Sequence, residues 1–273
     1  MDANNAEGSA DKDMKRFVRE MKQYWGFAVY SAKCDLKAEV ANSFLNWLWW
    51  ILEPLSSMII YAVVFSLLMS SKEAYYPVFI FIGIIFWGFF NRCTMTSISL
   101  IRGNVHIITK VYMPKYILLV ERMLVLAFKL MINLGLTAIM LAIFRVKIGI
   151  NILMIIPTLV VFITFCFAVG LLMMHYGVYI SDLEKAMAIV LNLGFYITGI
   201  FYSVQDKFPQ PYGYILQRAN PMAHLIFCFR KCLLKNEMPS LVMLSVWFVI
   251  SIIIIIYSLN QIYKNENDYV KMI

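Results

Sequence analysis

Six apolar segments divide this chain, and each has the length needed to cross a bilayer. They run from Leu45 to Leu68, Val78 to Thr96, Tyr116 to Phe144, Ile152 to His175, Ala186 to Ser203 and Leu241 to Leu259. A helix rises 1.5 Å per residue, so about 20 residues cover the ~30 Å of bilayer hydrocarbon. The apolar runs are continuous and do not alternate with period two, which favours helices over strands. The sequence therefore predicts an all-α membrane protein with six transmembrane helices. An N-terminal amphipathic interfacial helix precedes them, and short re-entrant helices lie before the last span.

Composition narrows the function classes. Hydrophobic residues make up 62% of the 273 positions and charged residues 15%, far from the usual soluble balance. One helical membrane domain uses nearly the whole chain, which leaves no room for a soluble catalytic or nucleotide-binding domain. The net charge of +8 does not indicate nucleic acid, because the basic residues fall between the spans, where they orient helices. The first forty residues are polar or amphipathic and do not read as a cleavable leader. Cys34, Cys93, Cys166, Cys228 and Cys232 lack metal-like pairing.

Lys12, Lys15, Arg16, Arg19, Lys22, Lys33 and Lys37 precede the first span, so the positive-inside rule puts both termini in the cytoplasm. The predicted layout is a cytoplasmic N-terminus and interfacial helix over 1–44, a transmembrane domain over 45–260 and a cytoplasmic tail over 261–273. Within about Met14 to Phe44, Phe17, Met21, Tyr24, Trp25 and Ala28 recur at helical spacing opposite Lys15, Arg19 and Lys22. That pattern suits a helix in the headgroup region, with its bases toward anionic lipid. Residues 205–239 are too long for a turn and too apolar for a solvated loop. Pro209 and Pro211 break helix there, while Asn220-Pro221 opens a new one ending near Arg230. This stretch reads as an external re-entrant segment.

Charges inside spans are costly and need a reason. Arg122, Lys129, Asn133 and Thr137 share one face of the third span, with Lys129 near its middle. The stripe lines a polar path, or Lys129 pairs with a neighbouring helix. Glu53 lies two turns into the first span with Ser56, Ser57 and Tyr61, and Arg122 is its candidate partner. Aromatic residues, including Tyr196, Phe201, Tyr202, Phe227 and Phe229, are belt anchors or line a channel.

Motifs add to this. The stretch Arg102-Gly103-Asn104-Val105-His106-Ile107-Ile108-Thr109-Lys110-Val111-Tyr112-Met113-Pro114 resembles the N-x-x-L-I-x-K-V-Y-F-P stretch of type 2 ABC exporter permeases that move cell-envelope polysaccharides. Trp49-Trp50-Ile51-Leu52-Glu53-Pro54-Leu55 with Tyr61 and Phe65 is similar to that family's first-span pattern. Asp182-Leu183-Glu184 resembles its loop after span four, and Asn220-Pro221-Met222 through Arg230 its segment before the last span. Ser181 stands where the family has arginine.

The resemblance implies a half-transporter in a bacterial cytoplasmic membrane. Two copies form the path for a lipid-linked polysaccharide of teichoic acid, O-antigen or capsule type. Two ABC ATPase subunits bind beneath and hold ATP and Mg, so this chain carries no cofactor and is no enzyme. Carried over to this chain, the coupling loop is 97–115, with Arg102, Asn104, Lys110, Val111, Tyr112 and Pro114. A second cytoplasmic loop, 176–185, adds Asp182 and Glu184. The path residues are Glu53, Tyr61, Lys129, Asn133, Tyr196, Phe201 and Tyr202, and the external segment carries Asn220, Pro221, Phe227 and Arg230. Alternatives are a drug or peptide exporter of the same superfamily, or a stand-alone ion-coupled transporter using Lys129 and Glu53.

Overall fold

The computed structural model describes residues 3–41, 44–69, 75–110, 112–147, 149–266 and 268–269, with the backbone path alone for 3–14, 67–69 and 206. Among these residues the fold is helical throughout. Eleven α-helices follow in order: α1 (Ala3–Ala41), α2 (Trp49–Met69), α3 (Tyr76–Gly103), α4 (Val105–Ile108), α5 (Tyr116–Ile143), α6 (Ile155–Tyr179), α7 (Leu183–Ile197), α8 (Val204–Lys207), α9 (Tyr212–Ala219), α10 (Pro221–Arg230) and α11 (Leu241–Lys264). Short 3-10 turns lead into α2 and α6, and a π turn, Lys231–Lys235, follows α10.

Five of these helices are long and apolar enough to cross a membrane: α2, α3, α5, α6 and α11. The predicted span Ala186–Ser203 is shorter than expected. Its helix, α7, has 15 residues, which at 1.5 Å each reach about 22 Å, less than the hydrocarbon thickness. Gly199 adopts φ +76 just beyond its end, a left-handed conformation that glycine tolerates without strain. The carbonyls of Gly199 and Ile200 then accept hydrogen bonds from Arg230 at 2.7 and 2.8 Å. Side-chain donors thus replace the helix ladder, and the chain turns into α8.

The bundle is built around α3, the most buried of the five long helices. It packs against α2, α5, α6, α7 and α10. Phe86 of α3 stacks on Phe229 of α10 with ring centroids 3.7 Å apart, and Phe162 of α6 meets Phe86 edge-on at 5.1 Å. The α3–α6 seam closes because Gly177 has no side chain. A Cβ there would lie 2.1 Å from the carbonyl oxygen of Ile98.

The N-terminal helix is one unbroken rod of 39 residues, α1, longer than the expected interfacial helix. It runs along α5 and touches α11. Phe17, Met21 and Tyr24 pack on the core as expected, and Ala28 is buried. Trp25 departs from that face and is 48% exposed. Lys15, Arg19, Lys22, Lys33 and Lys37 are exposed on the opposite side.

The stretch expected to be re-entrant folds into a cap of α8, α9, α10 and the π turn, with α9 and α10 packed on each other and α10 against α3 and α6. Asn220 caps α10 through its side-chain oxygen, which accepts from the backbone N–H groups of Met222 and Ala223 at 3.0 and 3.2 Å. Pro221 follows at the first helical position, where a missing N–H costs nothing.

Candidate translocation groove and coupling end

A cleft of about 560 Å³ opens along α3 between α2 and α7. Its floor carries Trp87, Asn91 and Arg92, one wall Glu53, Ser57 and Tyr61, and the other Asn192, Phe195 and Tyr196. Amides, hydroxyls and an ion pair thus interleave with aromatic faces in an otherwise apolar bundle. The ion pair joins Arg92 of α3 to Glu53 of α2. Arg122, the partner expected for Glu53, instead binds Asp35 of α1 at 2.7 Å. Arg92 lies inside the apolar run Val78–Thr96, and its charge there was the signal that could have identified it.

Behind the same ion pair, a smaller cavity of about 140 Å³ lies between α2, α3 and α5. Lys129 and Asn133 line it with Trp50. Lys129 pairs with Glu39 of α1 at 2.6 Å and sits 5.8 Å from the centre of the Trp50 ring. Trp47 and Trp49 are exposed at that level of the bundle, and exposed tryptophans mark the membrane interface. Lys129, near the middle of α5, has a helix partner in Glu39. Further along the stripe, Asn133 donates to the carbonyl of Lys129 at 3.0 Å, and Thr137 donates to that of Asn133 at 2.8 Å.

Glu53, Tyr61 and Tyr196 are thus brought to the cleft, and Lys129 and Asn133 to the side cavity. Phe201 is not brought there. It is 1% exposed and stacks on Phe65 at 4.0 Å, with Tyr61 and Phe195 around it. Phe229 is likewise enclosed in the core. The Tyr202 hydroxyl donates to the carbonyl of Tyr196 at 2.9 Å. With Phe227, Tyr202 lines a separate chamber of about 50 Å³ beside Arg230.

Arg230 is buried and holds the capped end together. Its guanidinium donates to the carbonyl of Phe79 from Nε and Nη2 at 3.1 and 2.9 Å, and to Gly199 and Ile200. It also lies 3.4 Å from the centre of the Phe79 ring. Gly83 leaves the room for it, since a Cβ there would sit 2.7 Å from Nη2.

At the opposite end, the segment between α3 and α5 carries the expected coupling residues. Arg102 donates to the carbonyl of Val178 at 2.9 Å, tying this segment to the end of α6. Asn104 donates to the carbonyl of Leu100 at 2.8 Å and ends α3, and the four-residue α4 follows. Ile107, Lys110 and Tyr112 are exposed, while Pro114 is buried. Val111 lies outside the described residues. The α6–α7 turn presents Asp182 and Glu184 to solvent, with Asp182 3.6 Å from Lys185.

One arginine, Arg16, gathers this end. It binds Glu20 at 2.7 Å, Glu266 at 3.1 Å and the hydroxyl of Tyr112 at 2.9 Å, and lies 4.3 Å from the centre of the Tyr263 ring. Glu20 accepts from the Tyr116 hydroxyl at 2.7 Å, and Tyr24 donates to the carbonyl of Tyr112 at 3.3 Å. Burial works against the charge on Arg16, but Glu20 and Glu266 outweigh it and raise its pKa above the ordinary arginine value. α1, the segment between α3 and α5, and the end of α11 thus meet at a single guanidinium, and α5 joins them through Tyr116 and Glu20. Sequence reading gave Arg16 no such role, because its partners lie 96 and 250 residues away.

Residues 29–234 match the ABC-2 type transporter family. The chain belongs to that family. This ABC-2 family member is similar to an O-antigen export system permease protein, RfbA, of Myxococcus xanthus. The two are 24% identical over 262 residues, covering 93% of this chain and 98% of the relative. A permease of the same name from Klebsiella pneumoniae is 23% identical over 240 residues, covering 88% and 92%. A second Klebsiella pneumoniae permease of that name is 24% identical over 226 residues, covering 82% and 86%.

Proposed function

We propose that this chain is the permease subunit of an ATP-driven exporter that moves a lipid-linked cell-envelope polysaccharide across a bacterial cytoplasmic membrane. The observation that carries the proposal is the cleft on α3. It is polar and aromatic inside an apolar bundle, and it lies open between α2 and α7. Half a conduit has this form, and a second copy facing it would close the other side. Amides and hydroxyls suit sugar hydroxyls, and aromatic faces suit the C–H faces of sugar rings. The permeases similar to this chain are named for O-antigen export, which supports a glycan cargo.

In this proposal two ABC ATPase subunits, which hold ATP and Mg²⁺, dock on the end bearing α4 and the α6–α7 turn. That end and both termini face the cytoplasm, in keeping with the basic residues of α1. Motion of the ATPase reaches α3 and α5 through the segment between them, and reaches α1 and α11 through Arg16. The transmission needs rigid elements, because a loose loop would absorb the movement. The ion-coupled alternative needs unpaired charges in the path, whereas Glu53 and Lys129 each have a partner in the fold.

The test is co-purification of the tagged chain from its native membrane, with ATPase and export assays. Recovery of a stoichiometric ABC ATPase is expected, with export lost when the Walker lysine of that ATPase is replaced. Export that survives that replacement would refute the proposal.

A further inference from the structure

We propose that the side cavity between α2, α3 and α5 is a binding site for the phosphate headgroup of an anionic lipid. This goes beyond the transport proposal and depends only on the placement of the helices in a bilayer. Three observations carry it.

The first is depth. Trp50 lines the cavity from the first turn of α2, beside the exposed Trp47 and Trp49, and Lys129 lies 5.8 Å from the centre of its ring. Tryptophans at the end of a span anchor among headgroups, so the part of the cavity next to Trp50 lies within reach of lipid phosphates. Phe128, which meets Trp50 edge-on at 5.8 Å, and Met131 are exposed on α5 nearby and offer acyl chains an apolar surface.

The second is donor chemistry. Arg92 and Lys129 both line the cavity. Arginine has five N–H donors, and the contact with Glu53 uses Nη2, which leaves the rest of the fork for phosphate oxygens. Lys129 holds Glu39 with its ammonium group, so a phosphate would exchange with that carboxylate or share the lysine with it. Two cations and one carboxylate, Glu53, line the cavity wall.

The third is an unmet acceptor. The Oδ1 atom of Asn133 is buried and has no hydrogen-bond partner among the described residues. A buried acceptor without a donor is destabilising, and a small turn of the Asn133 side chain toward the cavity it lines would let it accept from a glycerol hydroxyl or a protonated phosphate oxygen. The volume of about 140 Å³ is several times the ~30 Å³ that one water takes in the liquid. A phosphate group fits that space.

The phosphate has two possible sources, a bulk phospholipid or a polyprenyl phosphate carrier, and the test separates them. Full-length protein is delipidated in detergent and titrated with dioleoyl phosphatidylglycerol, dioleoyl phosphatidylcholine and a polyprenyl phosphate, with native mass spectrometry as the readout. Wild type should bind both anionic lipids more tightly than phosphatidylcholine, and the tighter of the two names the source. The charge-balanced variants R92Q/E53Q and K129Q/E39Q should each weaken anionic binding about tenfold, the value of one charge-assisted hydrogen bond. Equal binding of phosphatidylcholine by wild type would overturn the proposal, as would unchanged affinity in both variants. A photoactivatable phosphatidylglycerol on unmodified protein gives a check that needs no variant. Adducts on α2 and α5 around Trp50 and Lys129 would support the site, and labelling confined to other helices would refute it.

Discussion

Single residues decide how closely the helices of this bundle approach. Gly177 lets α6 touch the backbone of α3, and any side chain there would meet the Ile98 carbonyl. Gly177→Ala is expected to destabilise the protein by about 2 kcal/mol through overpacking, seen as a lower melting midpoint in detergent. Gly135 of α5 has open space around its Cβ position, so Gly135→Ala should be neutral or slightly stabilising. The Glu53–Arg92 pair offers a second test at this scale. Arg92→Ala should cut export sharply, because it leaves an uncompensated Glu53 carboxylate in the proposed path. The swapped double variant R92E/E53R should restore part of the surface polysaccharide, and absence of any rescue would mean that the pair itself is not what matters.

At the scale of elements, α1 is fastened to α5 at three heights. Glu20 meets Tyr116, Asp35 meets Arg122, and Glu39 meets Lys129. A helix held this way moves with α5 rather than floating in the headgroups. Arg16 adds the segment between α3 and α5, the proposed coupling segment, and Tyr263 of α11 to the same unit. Arg16→Ala should therefore leave ATPase association in place but lower the export achieved per ATP hydrolysed. Parallel assays of hydrolysis and export in reconstituted vesicles check this, and an unchanged ratio would remove Arg16 from the transmission path. The cap α8–α10 depends in the same way on Arg230, whose three carbonyl partners come from α3 and from the break after α7.

At the scale of the whole molecule, the proposed second copy would face the open cleft. The rims α2 and α7 carry exposed apolar residues, among them Ile59, Ile60 and Val63 on one and Ile189, Val190 and Leu193 on the other. Leu193→Cys should form a disulfide-linked dimer on mild oxidation in membranes. Ile139→Cys, exposed on α5, should remain monomeric under the same treatment. Crosslinking at Ile139 with none at Leu193 would move the interface to the other side of the bundle.

Sequence alone determined that the chain is an all-α membrane protein and where its long helices lie. It also located the cap at Asn220-Pro221 and the irregular stretch before α11. These properties depend on hydrophobic length and on backbone donors, which are local and written along the chain. Tertiary structure alone decided that α7 stops after 15 residues, that Phe201 faces the core, and that Glu53 binds Arg92 while Arg122 and Lys129 turn to α1. Those outcomes depend on how each helix is rotated against its neighbours. The bonds involved join residues 30 to 90 positions apart, from Ile200–Arg230 to Glu39–Lys129. A single helix period carries no record of which distant side chain its polar face will meet.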